Sequence, residues 1–227
     1  TETLVPNILT SISGLPKSGK TFLALTWPKP LKIYSFERGA RWIVENKFKG
    51  QAIEIKEFKL PIIESDDPKP WAEPIYNEFY STFKADSSSS KYKTLVIDTA
   101  THAWAVLRQA LTEAKNRKRL TEIEYALPNL KMGAIFTHAA EDGVNLVVLN
   151  YLRDRYVNEK NTGELELNGW SQTEGLVDIA LEIACRTIAG KTQMITTVKA
   201  DRFDRDQKGK TFVDMTYDEI VAGLLGG

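Results

Sequence analysis

Gly14-Leu15-Pro16-Lys17-Ser18-Gly19-Lys20-Thr21 has the spacing G-x-x-x-x-G-K-[ST], the signature of a backbone cradle for phosphate. Its glycines let the chain turn so that successive N–H groups point inward at phosphate oxygens. Gly14, Pro16, Lys17, Ser18 and Gly19 supply that cradle. Lys20 reaches the β- and γ-phosphates, and the Thr21 hydroxyl is a magnesium ligand. Such a loop must follow a buried strand and open a helix. Asn7–Ser13 (NILTSIS) is a β-rich run ending at Gly14, and Thr21–Trp27 (TFLALTW) reads as a helix stopped by Pro28 and Pro30. The ligands expected are ATP and Mg²⁺.

A magnesium site beside a phosphate loop needs a further carboxylate, held on a neighbouring strand. Thr94–Ile97 (TLVI) is an uninterrupted apolar, β-branched run of the kind buried on both faces of a parallel sheet, and Asp98 ends it. At the carboxyl edge of an open α/β sheet Asp98 would meet the metal next to Thr21. Thr99 follows Asp98, so the Asp-Glu pair common in AAA+ proteins is missing, and a catalytic base must come from elsewhere in the chain.

Further out, Leu31–Phe36, Ala52–Phe58 and Val144–Leu149 read as strands. Residues Trp71–Phe83, Thr99 to about Arg119, and Asn129–Ala140 read as helices. Pro61–Pro74 reads as a loop and Ser87–Ser90 as a flexible connector. Tyr151–Trp170 is polar, with a turn expected at Asn161-Thr162-Gly163. Val177–Ile188 and Gln193–Val198 read as strands joined around Gly190, and Met215–Leu225 as a terminal helix. Strands alternating with helices over the first 150 residues imply a mainly parallel sheet covered on both faces, with antiparallel strands toward the C-terminus. No internal repeat is visible, and residues 1–227 are expected to form one domain.

Composition narrows the function classes. Thirty Lys and Arg balance thirty Asp and Glu in 227 residues, and 42% of residues are hydrophobic. A globular chain is implied and a generally basic nucleic-acid coat is excluded, so a nucleic-acid site must be a local patch. One Cys and two His cannot build a Cys-rich zinc site. Cys185 reads as core, and His102 and His138 as ordinary helix residues. No apolar run approaches a membrane span and the first residues lack a secretory pattern, so the expected location is the cytoplasm, that of the host cell if the protein is phage-encoded.

The strand Leu31-Lys32-Ile33-Tyr34-Ser35-Phe36 runs into Glu37-Arg38-Gly39. The order of phosphate loop, helix, strand ending in Glu, and later strand ending in Asp98-Thr99 resembles the RecA-like recombinase ATPases. Within that class it resembles the phage-type nucleotide-binding ATPases that accompany single-strand annealing and recombination. The resemblance also uses the segment from Arg153-Asp154-Arg155-Tyr156 to Thr162-Gly163-Glu164, and Lys199 with Arg202, so it covers Ile8 to Leu225. It implies a RecA-like P-loop core and magnesium-dependent ATP hydrolysis. Glu37 is then the carboxylate that polarises the attacking water, and Asn150 the polar residue that senses the γ-phosphate. Lys199 and Arg202 act on the ATP of a neighbouring subunit in a ring or filament. It further implies single-stranded DNA as partner, with a single-strand-binding protein as a possible second one.

Two segments could meet DNA. Lys115, Arg117, Lys118 and Arg119 lie near a helix end, where several phosphate contacts would bring strong salt dependence. Arg153, Arg155 and Tyr156 mix cations with an aromatic ring, as single-strand binders do, although acidic residues between them suit a surface hairpin equally well. The competing function is a small-molecule or nucleoside-type phosphotransferase, with Arg153 and Arg155 closing over the phosphates. Strand order separates the two readings. RecA-like proteins insert a strand between the phosphate-loop strand and the Asp98 strand, whereas many small kinases place these side by side.

Overall fold

The computed structural model describes residues 7–64, 69–117, 119–188 and 190–225. The apolar runs of the first half become β1 (Leu9–Gly14), β2 (Leu31–Ser35), β3 (Ile53–Glu57), β4 (Thr94–Asp98) and β5 (Asn145–Val157). Between them lie α1 (Lys20–Ala24), α2 (Gly39–Lys47), α3 (Ala72–Ser87), α4 (Ala100–Ala114) and α5 (Ala126–Glu141). The second half is β6 (Lys160–Asn168), α6 (Thr173–Leu176), β7 (Ile179–Ile188), β8 (Lys191–Asp201), β9 (Thr211–Val213) and α7 (Tyr217–Ile220).

The described residues form one nine-stranded sheet in the order β3-β2-β4-β5-β1-β7-β8-β9, with β6 paired to β5 beyond that path. From β3 to β7 every neighbouring pair is parallel, whereas β6, β8 and β9 are antiparallel to their partners. The fold is therefore the expected α/β RecA-like P-loop core with antiparallel strands toward the C-terminus. β5 lies between β1 and β4, the insertion that separates this arrangement from the side-by-side strands of many small kinases.

The pleat sorts the strand residues onto two faces. Leu95, Ile97, Leu146 and Val148 pack with α3, α4 and α5. Val96, Val147 and Leu149 pack with Ile12, Ile33 and the side chains of α1. All of them are fully buried, and each such side chain contributes about 1.5–3 kcal/mol relative to exposure. This two-sided burial explains why the central strands read as unbroken apolar runs.

Several boundaries differ from the sequence reading. Residues 65–68 of the expected Pro61–Pro74 loop lie outside the described residues; α3 already starts at Ala72, so Pro74 lies in its first turn, where a missing N–H breaks no intrahelical bond. Glu113 of α4 accepts from Trp71 N and Ala72 N, each at 3.0 Å, and so caps that helix. Ser87 is no free connector: it is the buried last residue of α3, and its hydroxyl donates to Asp142 Oδ2 at 2.6 Å. β5 continues past Asn150 into a hairpin with β6. The hairpin turns at Asn158-Glu159, where φ is +50° and +63°, not at Asn161-Thr162-Gly163. Two consecutive positive φ values match the twist of a tight hairpin. Thr162–Glu164 instead form a bulge opposite Arg155, between the pairs Asp154–Leu165 and Tyr156–Asn161. The terminal helix is one turn of α-helix, capped by Thr216 and Glu219, followed by a π-turn. No helix among the described residues is long and apolar enough to cross a membrane.

Candidate nucleotide-binding site

β1 delivers Gly14 at the carboxyl edge of the sheet, and the chain turns through Lys17 (φ +64°) and Gly19 (φ +97°) into α1. The two glycines are needed for different reasons. A Cβ on Gly14 would collide with the Ile183 carbonyl of β7, whereas Gly19 is needed for its positive φ, its nearest neighbour being the movable Met194 thioether of β8. Pro16–Thr21, Phe22, Glu37, Gly39, Trp42, Ile43, Asp98, Thr99 and Tyr151 line a cavity of about 570 Å³ over this loop, within the range of ligand pockets.

Lys20 is buried, and its Nζ donates to Gly14 O at 2.9 Å and Leu15 O at 2.8 Å. The same nitrogen lies 4.5 Å from the centre of the Tyr151 ring. Burial lowers its pKa to about 8, partly opposed by the charges of Asp98 and Glu37. Thr21 Oγ1 donates to Asp98 Oδ2 at 3.1 Å. Burial pushes the Asp98 carboxyl up to about 7, and the nearby Glu37 charge adds to that rise. A buried carboxylate raised in this way favours an added cation beside it. Two protein oxygens, completed by phosphate and water, suit magnesium, which takes few protein ligands. Thr21 and Asp98 therefore fit the metal role expected of them. Thr99 also caps α4, accepting from His102 N at 3.3 Å.

Glu37 follows β2 and reaches the same cavity. Its Oε2 accepts from the Tyr151 hydroxyl at 2.7 Å. Its Oε1 is buried without a hydrogen bond, 3.1 Å from His102 Nδ1, which itself lies 2.8 Å from Thr99 Oγ1. Burial would raise the Glu37 pKa, but His102, Tyr151 and Lys20 together hold it below the ordinary carboxylate value.

The structure thus brings Gly14, Pro16, Lys17, Ser18, Gly19, Lys20, Thr21, Asp98 and Glu37 together. Asn150 it does not. That side chain is fully buried, donates to Ser11 Oγ at 3.3 Å, and lies against Gly169. Asn150 continues the Leu146–Val148 side of β5, whereas the phosphate loop lies on the other side, so the residue facing Lys20 is its neighbour Tyr151. Lys199 and Arg202 do not line their own chain's cavity either. They lie toward the far end of β8, paired with Glu182 at 3.0 Å and Asp178 at 2.8 Å.

Several cations of the basic clusters are held in ion pairs. Lys115 and Arg117 both bind Glu124 Oε1, at 2.8 and 2.9 Å. Arg153 pairs with Glu166 at 2.8 Å and Arg155 with Glu164 at 2.7 Å across the β5–β6 hairpin. Arg119 and Tyr156 are exposed, and Lys118 lies outside the described residues.

Sequence reasoning missed Tyr151 and Trp42 at the cavity, and His102 against Glu37. The available signals were weak: a Tyr one residue after the chosen Asn, a His three residues into a helix, and an aromatic five residues past Glu37. Cys185 is exposed rather than core. Its Sγ lies 3.4 Å from Ser18 O, beside the phosphate loop.

This fold and this loop define a P-loop NTPase. Residues 7–207 match the family described as AAA domain (AAA_24), and the chain belongs to that family. No curated protein matches it. Among solved structures it is similar to a KaiC-like protein, PH0186, from the hyperthermophilic archaeon Pyrococcus horikoshii OT3. The TM-score is 0.51 at 15% identity, covering 92% of this chain and 85% of that one. This likeness concerns the fold.

Proposed function

We propose that the protein is a magnesium-dependent ATPase in which Glu37 activates the attacking water. The observation that carries this is the convergence of Lys20 and Thr21 of α1, Glu37 after β2 and Asp98 of β4 on one cavity. The backbone N–H groups of the loop bind and orient the phosphates. Lys20 turns from the Gly14 and Leu15 carbonyls to neutralise β- and γ-phosphate charge. Thr21 and Asp98 would hold magnesium, which when bound supplies charge neutralisation at the phosphate oxygens. Glu37 accepts the proton of the water. Trp42, 61% exposed at the cavity wall, offers a flat face for the base.

In the same reading the working form is an oligomer, with Lys199 and Arg202 released from Glu182 and Asp178 to act on a neighbour's phosphates. Single-stranded DNA is the effector, in phage-type recombination or annealing. Support for the DNA part is the resemblance stated above together with the exposed Arg119 and Tyr156. The ion pairs of Lys115, Arg117, Arg153 and Arg155 mean that a DNA strand must displace glutamates to bind there. For the phosphotransferase alternative, the strand order is unfavourable.

The test is ATP turnover of the wild type and Glu37→Gln, with and without an oligo(dT) strand. Glu37→Gln should keep nucleotide binding and lose turnover by about 10²–10⁴-fold. Turnover equal to the wild type would move the base elsewhere. Charge reversal at Lys115, Arg117 and Arg119 should weaken oligo(dT) binding and flatten its salt dependence. An unchanged salt slope would remove DNA from the reading.

A further inference from the structure

On the reading that Glu37 activates the water, we infer that Tyr151 is a positioning residue that restrains it. Tyr151 stands where β5 leaves the parallel sheet, paired with Gly14 on one side and Asn168 of β6 on the other. Its backbone is pinned. Tyr151 N donates to Thr101 Oγ1 at 3.0 Å, and that hydroxyl donates to Asn168 O at 2.6 Å. From this fixed point the ring lies against Lys20 and the hydroxyl meets Glu37 Oε2.

A general base must offer an oxygen to water within hydrogen-bond reach. Oε1 of Glu37 is buried. Oε2 is already held by a phenol, a donor that stabilises the carboxylate and so makes it a poorer base. Two effects of Tyr151 are separable. Its ring gives Lys20 a cation–π contact, which phenylalanine would keep. Its hydroxyl acts on Glu37 alone, since that is the one hydrogen bond it makes among the described residues.

Tyr151→Phe therefore isolates the restraint. Turnover number should rise about threefold or more, while KM for ATP and the affinity for a non-hydrolysable ATP analogue stay within about twofold. A turnover number equal to or below the wild type overturns the inference. The gain must also vanish in Tyr151→Phe/Glu37→Gln, and a gain that survives there overturns it as well. Replacing the protein's tyrosines with 3-fluorotyrosine, in the wild type and in Tyr151→Phe, isolates the Tyr151 phenol from the other seven. The fluorinated phenol is a stronger donor and should lower the turnover number, and no reduction counts against the restraint. Failure of the two readings is distinguishable. If Glu37→Gln turns over normally, Glu37 loses its role and Tyr151 with it. If Glu37→Gln is inactive and Tyr151→Phe is no faster, only the restraint falls.

Discussion

Thr21 Oγ1 and Asp98 Oδ2 are 3.1 Å apart, although the strands that precede them, β1 and β4, are separated by β5. The helix following the phosphate loop leans across the inserted strand and brings its hydroxyl to the far carboxylate. The phosphate and metal sites proposed above are thereby tied to three strands of the sheet rather than to one loop.

Asp98→Asn should preserve this contact, because an amide oxygen still accepts from Thr21, while removing the charge. The magnesium concentration for half-maximal turnover should rise about tenfold or more. Nucleotide binding measured without metal should be retained. The melting temperature in the absence of metal should not fall, since the charge removed is one that burial disfavours. An unchanged magnesium requirement would take Asp98 out of the metal site.

Gly14→Ala should be costly in a way that loop flexibility cannot relieve. The added methyl meets the carbonyl of Ile183, part of the β7 ladder against β1, as well as the Ser18 hydroxyl. We expect a loss of about 1–3 kcal/mol in urea unfolding, typical of overpacking, together with weaker nucleotide binding. Gly19→Ala meets the movable end of Met194 but carries a positive φ, so its penalty is mainly backbone strain.

Acid stability should depend on Glu54. Buried Lys32 of β2 lies 2.9 Å from Glu54 Oε1 and 2.8 Å from Asp86 Oδ2. Lys91, Tyr92 and Lys32 hold the Glu54 carboxyl at about 2, below its ordinary value of 4.5. Because the folded value is the lower one, the stabilisation is complete above about pH 4.5 and is lost as pH falls toward 2. Glu54→Gln should lower unfolding free energy at neutral pH and flatten its fall between those limits. Urea titrations at several pH values would show this, and parallel acid limbs for the two proteins would contradict it.

Assembly-dependent turnover has its own signature. Lys199→Ala and Arg202→Ala should each retain ATP binding and lose turnover, and turnover per subunit of the wild type should rise with protein concentration. Mixing either variant with Glu37→Gln should restore part of the activity, because some interfaces then join an intact Glu37 to an intact neighbouring cation. Turnover that is flat down to monomeric protein, with no recovery on mixing, would place the whole active site in one chain.

The phosphate loop, Asp98 and Glu37 were legible in the sequence because each is a local event. Eight contiguous residues shape the loop, and a strand buried on both faces must be an apolar run, so the polar residue that ends it marks the sheet edge. The pleat made one of Asn150 and Tyr151 face Lys20, but only the position of α1 on the Val147–Leu149 side of the sheet decided for Tyr151. The placement of α2 brought Trp42 to the cavity, and that of α4 brought His102 against Glu37. The pairing of Lys115 and Arg117 with Glu124, and of Arg153 and Arg155 with Glu166 and Glu164, depends on a helix-end turn and a hairpin register. Local chemistry is written in consecutive residues. Which side chains share a face, and which charges cancel, depends on pairings between residues distant along the chain, and these exist only once the sheet has formed.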